Sequence, residues 1–381
     1  MKTVEIVLVA VGGYGRLFLD QLLEKGKERK ANIAGIVQTN ITKYPELALL
    51  LKEKKIPVYE SLEHFYAERK ADLAVIASPM QHHSRQTCLA LENGSNVLCE
   101  KPACSSVREV VLMEETAIKT GKFIAVGYQL SFNTSMLELK EDILAGLFGK
   151  PLTLKALLLR PRSDKYYSRN SWAGKKFNGE GRCVFDSVAH NAGSHNIHNM
   201  LFLLGKKLDA SAEPISVAAE LYRANAIENY DTAAARIVTG NGAEILFFGS
   251  HAVFGTSAKK FEYRFEKGIV YYDPDVDKDL LAVMSDGSRK NYGDPEVMPE
   301  KKLWTCVQAV QGEAAIPCGI AAAMAEVLCI EGMQDSTPEI NEFPGDSVAV
   351  GSSPGTDEKF VYVKELDEIM RDCFEKEILP T

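Results

Sequence analysis

The sequence lacks long apolar runs, an excess of positive charge and closely spaced cysteine pairs. No apolar stretch approaches the ~20 residues that a membrane-spanning helix needs, so we expect no membrane partner. The 52 acidic residues outnumber the 44 basic ones and give a formal net charge of −8. This charge argues against nucleic acid as the main partner. An anionic small ligand stays open, because it needs only a local positive site.

The eight cysteines are scattered along the chain, and no CxxC pair occurs. This pattern is typical of reduced thiols in a cytoplasmic protein and not of a disulfide framework. The N-terminal segment carries Glu5 inside its first apolar stretch and runs directly into a glycine turn. We therefore predict a first β-strand there, and no signal peptide.

The first third of the chain alternates strand-like apolar segments with segments of helical periodicity. We predict strands at residues 4–11, 32–37, 57–59, 73–78, 96–99 and 123–127. Repeated strand–helix alternation predicts an open, doubly wound parallel sheet with right-handed crossovers. The fold class is therefore α/β, and we expect a dinucleotide-binding Rossmann domain over residues 1–128.

After residue 128 the pattern changes to longer strands separated by turn residues. We predict strands at 152–159, 215–223, 232–239, 244–254, 260–266 and 269–272, helices at 136–145, 195–204 and 314–329, and loops at 162–182 and 341–358. Such hairpin-forming segments predict an α+β domain with an open, mostly antiparallel sheet. We assign residues 129–381 to this domain, with roles in substrate binding and oligomerisation.

The first predicted strand ends in a glycine-rich turn, residues 10–16 (AVGGYGR). Glycines at such a turn let the backbone approach a pyrophosphate, and the following helix N-terminus stabilises its charge. We expect the dinucleotide contacts from Gly12, Gly13, Tyr14, Gly15 and Arg16. Ala10 replaces the first glycine of the usual G-x-G-x-x-G pattern, and an alanine fits there if its φ is negative. A plain tight turn is the alternative interpretation.

Gln38 ends the second predicted strand, where NAD sites normally carry a carboxylate for the ribose hydroxyls. A neutral amide can accept a hydroxyl hydrogen bond and does not repel a 2′-phosphate. The choice between NAD and NADP therefore stays open. An ordinary polar residue at a strand end is an equal alternative.

Two further segments follow strands four and five: residues 77–83 (ASPMQHH) and 99–102 (CEKP). Ligands of open α/β sheets bind at strand carboxyl ends. A lysine held there by a proline turn can hydrogen-bond a substrate hydroxyl, and its charge favours a developing alkoxide. Taken alone, a lysine such as Lys101 is more often a solvated loop charge than a catalyst.

The chain resembles the glucose–fructose oxidoreductase / inositol dehydrogenase / MocA family. The resemblance rests on Pro79 and His83 and on residues 97–102 (VLCEKP), 126–129 (VGYQ), 149–151 (GKP), 172–174 (WAG) and 203–205 (LLG). It implies a Rossmann domain, a second domain with an open sheet, a tightly held NAD or NADP and sugar- or cyclitol-like substrates. It also implies homodimers or homotetramers. Ser78, Pro79, His83, Glu100 and Gln129 are the further cofactor-binding residues that it implies.

The family's catalytic pattern combines the lysine of E-K-P with an aspartate and a histidine in D-x-G-x-H. Lys101 matches the lysine, and His195 matches the histidine. Asn191 replaces the aspartate, and His198 replaces a second aspartate. An imidazole titrates near neutral pH, so His195 would take the hydroxyl proton. Asn191 can orient a group but cannot supply negative charge, for which Asp186 and His198 are the candidate substitutes.

His190, His195 and His198 also invite a metal-binding interpretation, because the last two lie on one helical face. No cysteine or carboxylate lies at the tight spacings of zinc sites, so we predict no metal. An ordinary core or surface histidine suits His198 better than His195.

Arginines and aromatic residues concentrate in the predicted loop between residues 160 and 172. Arginines can clamp a carboxylate or phosphate, and aromatic faces can stack on a sugar. We therefore expect substrate contacts from Arg160, Tyr167, Arg169 and Trp172, in addition to His198. The substrate would then be acidic; a solvated loop is the alternative.

The sequence thus predicts an NAD(P)-dependent oxidoreductase that transfers a hydride to or from a sugar, cyclitol or related polyol. Two alternatives stay open. One is an enzyme on the same fold that uses NAD transiently to cleave glycosidic bonds, without net redox change. The other is a non-catalytic dinucleotide-binding regulator, which the replacement of the aspartate by Asn191 suggests.

Overall fold

The computed structural model describes residues 2–353 and 355–381. Two compact units make up the chain: Met1–Asn133 with Met298–Met324, and Thr134–Val297 with Ala325–Thr381. The first unit therefore contains the predicted 1–128 domain and, in addition, residues 298–324, which come much later in the chain. That segment carries an amphipathic helix whose buried side includes Leu303, Trp304 and Val307, which explains its return to a core.

The first unit is built on a six-stranded parallel sheet, and the Rossmann prediction is confirmed. Its elements are β1 (Val4–Val9), α1 (Gly15–Lys25), β2 (Ala31–Val37), α2 (Pro45–Glu53), β3 (Val58–Tyr59), α3 (Leu62–Glu68), β4 (Leu73–Ile76), α4 (His83–Glu92), β5 (Asn96–Cys99), α5 (Val107–Thr120) and β6 (Ile124–Val126). The strand order is β3-β2-β1-β4-β5-β6. The chain thus winds outward from β1 in both directions, which creates a switch point between β1 and β4.

Local sequence signals explain where these elements begin and end. Ser61 and Ser106 accept hydrogen bonds from backbone N–H groups of the first turns of α3 and α5. Gly94 and Gly121 follow α4 and α5 with φ of 89° and 66°, values that glycine adopts without strain. The apolar strands are buried because helices cover both faces of a parallel sheet.

The second unit contains a nine-stranded, mostly antiparallel sheet, as predicted. Its elements are α6 (Thr134–Leu144), β7 (Pro151–Leu159), α7 (Asp164–Ser168), α8 (Ser194–Leu203), β8 (Pro214–Arg223), β9 (Thr232–Thr239), β10 (Glu244–Ser250), β11 (Ala258–Phe265), β12 (Gly268–Asp273), β13 (Asp277–Met284) and β14 (Arg289–Gly293). The remaining elements of the chain are α9 (Lys301–Val310), α10 (Ile320–Ser336), β15 (Asn341–Glu342), β16 (Val348–Ser352), β17 (Lys359–Val363) and α11 (Leu366–Lys376). The strand order is β14-β13-β12-β11-β7-β10-β9-β8-β15, with β7–β10 and β8–β15 parallel.

Helices cover the centre of this sheet on opposite faces. Phe248 of β10 packs against Phe374 of α11 with ring centroids 6.3 Å apart. The neighbouring Phe247 points the other way, toward Gly193 before α8, where an added Cβ would lie 2.4 Å from its ring.

Among residues 2–353 and 355–381, no helix is long and apolar enough to cross a membrane.

The predicted loop at 341–358 is wrong in part, because β15 and β16 lie within it. β15 has two residues and pairs only at the edge of the large sheet, and β16 forms a separate hairpin with β17. Such short, half-exposed strands carry little apolar periodicity, so the Gly-, Ser- and Asp-rich composition hides them.

Candidate functional site

The glycine-rich segment forms the loop between β1 and α1. Ala10 has a φ of 66°, in the left-handed region. The condition under which an alanine fits without strain, a negative φ, is therefore not met, because the chain turns sharply here to enter α1. Such a conformation costs an alanine about 1–2 kcal/mol. The Ala10 N–H donates to the Val37 carbonyl at 2.9 Å, which anchors the strained turn to β2.

The glycines of this loop have different surroundings. A Cβ at Gly15 would lie 2.4 Å from the Ala10 carbonyl oxygen and 3.2 Å from the Ala77 Cβ, so this position requires glycine for close helix–strand packing. A Cβ at Gly13 would meet no heavy atom within 4 Å. The Gly13 backbone therefore borders open space that a ligand can reach.

Two side chains approach Gly12. Its N–H donates to Gln38 Oε1 at 3.2 Å. The ring of Tyr44 lies over it, so that a Cβ at Gly12 would be 2.3 Å from the ring. Arg16 is exposed and pairs along α1 with Asp20 at 2.7 Å. The loop thus keeps its Gln38 contact on one side and leaves Gly13 open.

A cavity of about 450 Å³ opens beside this loop, at the carboxyl ends of β1, β2 and β4. Gln38, Ser78 and Pro79 line it, as the sequence predicts for ligand contacts at strand ends. Sequence reasoning missed the other polar lining residues, among them Thr39, Glu60, Glu63, His82 and Arg85. A signal was available for Thr39, which directly follows Gln38, and for His82, which lies in the segment after β4.

The E-K-P turn follows β5 on the same sheet edge. Lys101 is half-buried, and its N–H donates to Glu100 Oε2 at 3.3 Å. Glu100 is buried and pairs with Lys302 of α9, whose Nζ lies 2.5 Å from Oε1. Lys302 also donates to the Gly127 carbonyl at 3.0 Å. No local pattern marks Lys302, because its partners lie far away in the sequence.

His83, for which the resemblance implies cofactor binding, lies between two strand-end loops. Its side chain is buried, and its Nδ1 and Nε2 lie 2.9 Å and 2.8 Å from the Pro102 and Ser78 carbonyl oxygens. Burial lowers the pKa of this imidazole. His83 thus connects the loop after β4 to the E-K-P turn.

Gln129, another residue for which the resemblance implies cofactor binding, is half-buried and begins a short 3₁₀ turn after β6.

His195 lies on α8 of the second unit. Nine of the ten residues of this helix are buried, and His195 is the exception. A π-helical turn, Val188–Ala192, precedes α8 and carries Asn191. π-helical turns occur frequently at functional sites.

Asn191 is held by neighbours in the same unit. Its Nδ2 donates to Asp186 Oδ1 at 2.8 Å and to Tyr166 Oη at 3.3 Å. Asp186 Oδ2 accepts the Gly174 N–H at 2.7 Å. Burial raises the pKa of Asp186, although both hydrogen bonds oppose that shift. Asn191, which occupies the position of the aspartate in the family pattern, is therefore hydrogen-bonded directly to the Asp186 carboxylate.

His198 and His190 are core residues. His198 stacks on Phe202, and burial, with a smaller effect of Lys140, lowers its pKa to about 3. It remains neutral and buried, which argues against the predicted substrate contact. His190 is fully buried with Nδ1 3.2 Å from Glu326 Oε1. Within residues 2–353 and 355–381, no three His, Cys, Asp or Glu side chains group as metal ligands.

The arginines after β7 surround one aromatic ring. The guanidinium carbons of Arg162 and Arg169 lie 4.0 Å and 3.5 Å from the centroid of Tyr166, and Arg169 also lies 5.4 Å from Trp172. In the described part of the chain, neither they nor Arg160 form an ion pair with a carboxylate. Positive charges are thus concentrated here, and the buried Asp186 is the carboxylate that interacts electrostatically with Arg169.

His251 and Tyr167 lie beside these arginines. His251 Nδ1 is 2.8 Å from the Arg160 carbonyl oxygen, and burial, together with the neighbouring guanidinium groups, lowers its pKa to about 3. Burial raises the pKa of Tyr167 well above its usual value. The positive charge of this region is therefore carried by guanidinium groups and not by the imidazole.

Family profiles match both parts of the chain. Residues 4–128 match "Oxidoreductase family, NAD-binding Rossmann fold", and residues 136–271 match "GFO/IDH/MocA C-terminal domain". The two matches cover the β1–α1 loop, the E-K-P turn and the segment that carries Asn191 and His195.

Curated relatives are similar over shorter segments. D-glucoside 3-dehydrogenase of Escherichia coli (strain K12) is 30% identical over 113 residues, which are 30% of this chain and 32% of that protein. Inositol 2-dehydrogenase 4 of Saccharopolyspora erythraea is 29% identical over 140 residues, or 36% of this chain and 37% of the relative. These alignments span about a third of the length of each relative.

Solved structures share the fold over most of the chain. The WlbA dehydrogenase from Bordetella pertussis, in complex with NADH and UDP-GlcNAcA, has a TM-score of 0.72 and 19% identity and covers 89% of this chain and 97% of its own. UDP-N-acetylglucosamine 3-dehydrogenase GnnA from Acidithiobacillus ferrooxidans has a TM-score of 0.70 and 18% identity, with 88% and 98% covered. At these identities the likeness establishes the fold.

Proposed function

Because the chain belongs to the GFO/IDH/MocA oxidoreductase family, we propose that it is an NAD(P)-dependent dehydrogenase acting on a CH–OH group of a sugar, cyclitol or related polyol. The observation that carries the proposal is the open glycine loop beside a cavity of about 450 Å³ at the strand carboxyl ends. This volume lies in the range of cofactor sites.

The residues of the first unit fit a nicotinamide dinucleotide. The exposed backbone at Gly13 and the N-terminus of α1 supply N–H donors for a pyrophosphate. The cavity suits the adenosine portion, and Gln38 and Thr39 line it without charge. Glu60, Glu63 and Arg85 line it too, and Arg85 pairs with Glu63, so both charge signs are present. The proposal therefore covers both NAD and NADP. When bound, the nicotinamide supplies the hydride acceptor or donor.

Lys101 and His195 are the proposed catalytic residues. The Lys101 ammonium donates a hydrogen bond to the reacting oxygen and stabilises negative charge that develops there. The His195 imidazole takes the hydroxyl proton in the oxidative direction and returns it in the reverse direction. Asn191 orients the reacting groups, with its amide held by Asp186 at 2.8 Å.

The substrate carries an acidic group in this proposal. Arg162 and Arg169 hold two guanidinium groups against the Tyr166 ring, and the one carboxylate described near them is the buried Asp186, which interacts with Arg169. Guanidinium groups bind carboxylates and phosphates through paired, charge-assisted hydrogen bonds. A sugar acid or a sugar phosphate matches this charge.

We also propose that the enzyme works in the cytoplasm as a homodimer or homotetramer. All eight cysteines are free thiols, which supports a reducing compartment. The oligomeric state is testable by light scattering of the purified protein. A monomer at micromolar concentration contradicts this part of the proposal.

The test of the function has two steps. Purified protein is denatured, and the released dinucleotide is identified by mass spectrometry. The native protein is then screened against neutral and acidic sugars and cyclitols for reduced-nicotinamide absorbance. We expect NAD or NADP in the first step and net reduction in the second. Substrate cleavage without net reduction, or binding without any turnover, contradicts the proposed dehydrogenase.

A further inference from the structure

Lys302 is a buried lysine in the first unit, only 1% exposed. Its ammonium pairs with Glu100 at 2.5 Å, donates to the Gly127 carbonyl at 3.0 Å and lies 4.7 Å from the centroid of the Tyr14 ring. Burying an ammonium is costly, and these three contacts together compensate its charge.

The three partners of Lys302 belong to three different strand-end loops. Tyr14 lies in the glycine loop after β1, Glu100 in the turn after β5, and Gly127 directly after β6. One ammonium thus joins three loops at the sheet edge where open α/β sheets bind ligands. The helix α9 that carries it returns to this unit from a distant part of the sequence.

The fit around Glu100 is tight. A Cβ at Gly127 would lie 2.8 Å from the Glu100 carboxylate, so the carboxylate can occupy its position because residue 127 is glycine. Glu100 Oε2 also accepts the Lys101 N–H at 3.3 Å. The carboxylate that contacts Lys302 therefore also fixes the backbone from which the proposed catalytic lysine projects.

Stability alone does not explain why Lys302 and Glu100 form a buried ion pair, because well-packed apolar residues in their place often stabilise a protein as well or better. We propose that Lys302 is a positioning residue of the dinucleotide site. Through Glu100 and Tyr14 it holds the E-K-P turn and the glycine loop in the relative positions that dinucleotide binding and Lys101 require. This proposal rests on the proposed function.

The test compares Lys302→Met, Glu100→Gln and the double variant with the wild type. Each protein is stripped of dinucleotide, and its unfolding midpoint and its Kd for NAD+ are measured. Each single variant leaves an uncompensated buried charge and should lose stability. The double variant removes both charges and should regain most of the unfolding midpoint. Its Kd for NAD+ should still rise about tenfold or more, because the loops are no longer held together.

Gly127→Ala is the second variant, in case the charge variants fail to fold. Its added methyl group displaces the Glu100 carboxylate and leaves Lys302 unchanged, so the Kd for NAD+ should rise here too. Lys155→Met is the matched control. Lys155 is a buried lysine of the second unit, 3.4 Å from Glu262 and 3.3 Å from Glu377, and its loss should lower the midpoint without changing the Kd.

The outcomes separate this proposal from the proposed function. The Kd is measured with NADP+ instead where the wild type binds that dinucleotide. If the wild type binds neither NAD+ nor NADP+, the proposed function falls and this proposal falls with it. If the wild type binds one of them, and Gly127→Ala and the folded double variant bind it equally well, Lys302 is merely structural, and only this proposal is overturned.

Discussion

Asn191 donates a hydrogen bond from Nδ2 to Oδ1 of Asp186 at 2.8 Å. The amide therefore stands where the family pattern has an aspartate, and a buried carboxylate supports it from five residues earlier in the chain. Of the two candidate substitutes for the missing charge, Asp186 contacts Asn191, whereas His198 is a neutral core residue.

Asp186→Asn should lower both stability and turnover. The carboxylate accepts hydrogen bonds from Gly174 and Asn191, and an asparagine offers only one oxygen to these two donors. We expect a loss of about 1–3 kcal/mol in the free energy of unfolding, a lower kcat and an unchanged Kd for NAD+. Denaturant titration and steady-state kinetics check this, with the exposed Asp209→Asn as control. Wild-type kcat in Asp186→Asn would contradict the role of this contact.

Substitutions at two glycines of the loop should affect different properties, stability at Gly15 and NAD+ affinity at Gly13. A methyl group at Gly15 clashes with the Ala10 carbonyl, so Gly15→Ala should destabilise the protein by about 1–3 kcal/mol. A methyl group at Gly13 meets no atom within 4 Å, so Gly13→Ala should fold normally. It should nevertheless bind NAD+ about tenfold more weakly, a change of about 1.4 kcal/mol, because the methyl group occupies the approach to the backbone. Calorimetric titration decides this; unchanged affinity would place the pyrophosphate elsewhere.

Stability should fall between pH 7 and pH 5 because of the buried histidines. The pKa of His198 is lowered to about 3 in the folded state. Below its unfolded value of about 6.5 only the unfolded chain takes up the proton, so each such histidine costs about 2 kcal/mol between these two pH values. His198→Gln should therefore show a smaller pH dependence than the wild type. Denaturant titrations at both pH values measure it, with His64→Gln on the exposed side of α3 as control. An unchanged slope would contradict the neutral, buried state of His198.

Arg162→Ala and Arg169→Ala should raise KM for an acidic substrate with little change in kcat. A charge-assisted hydrogen bond contributes about 1.5–3 kcal/mol, which corresponds to about a 10- to 100-fold rise in KM. KM for the matching neutral sugar should not change. Arg182→Ala removes an exposed arginine that pairs with Glu180 and serves as the control. Equal effects on acidic and neutral substrates would exclude an anion-binding role.

The parts of the fold that could be predicted are those with strong local patterns. The apolar strands of the first unit and the glycine turn after β1 identify the Rossmann sheet and its ligand-binding edge. The helix α9 was missed, as was α11, although its buried Leu366, Met370, Cys373 and Phe374 follow helical spacing.

The site was predictable only where residues lie close to strand ends or match a family motif. The contact between Glu100 and Lys302 joins distant parts of the sequence, so no local pattern reveals it. The burial of His83 and His198 depends on what packs around them, and sequence spacing carries no such information. The sign of φ at Ala10 could not be decided from the sequence, because the geometry of the turn overrides the local preference of alanine.

The most direct test of the central claim is turnover of Lys101→Met and His195→Asn, with NAD+ binding measured on the same samples. We expect both variants to fold and to bind NAD+ as the wild type does. Turnover should fall by about 100-fold or more, the usual contribution of a positioned acid–base group. Wild-type turnover in both variants would show that these residues do not perform the chemistry assigned to them.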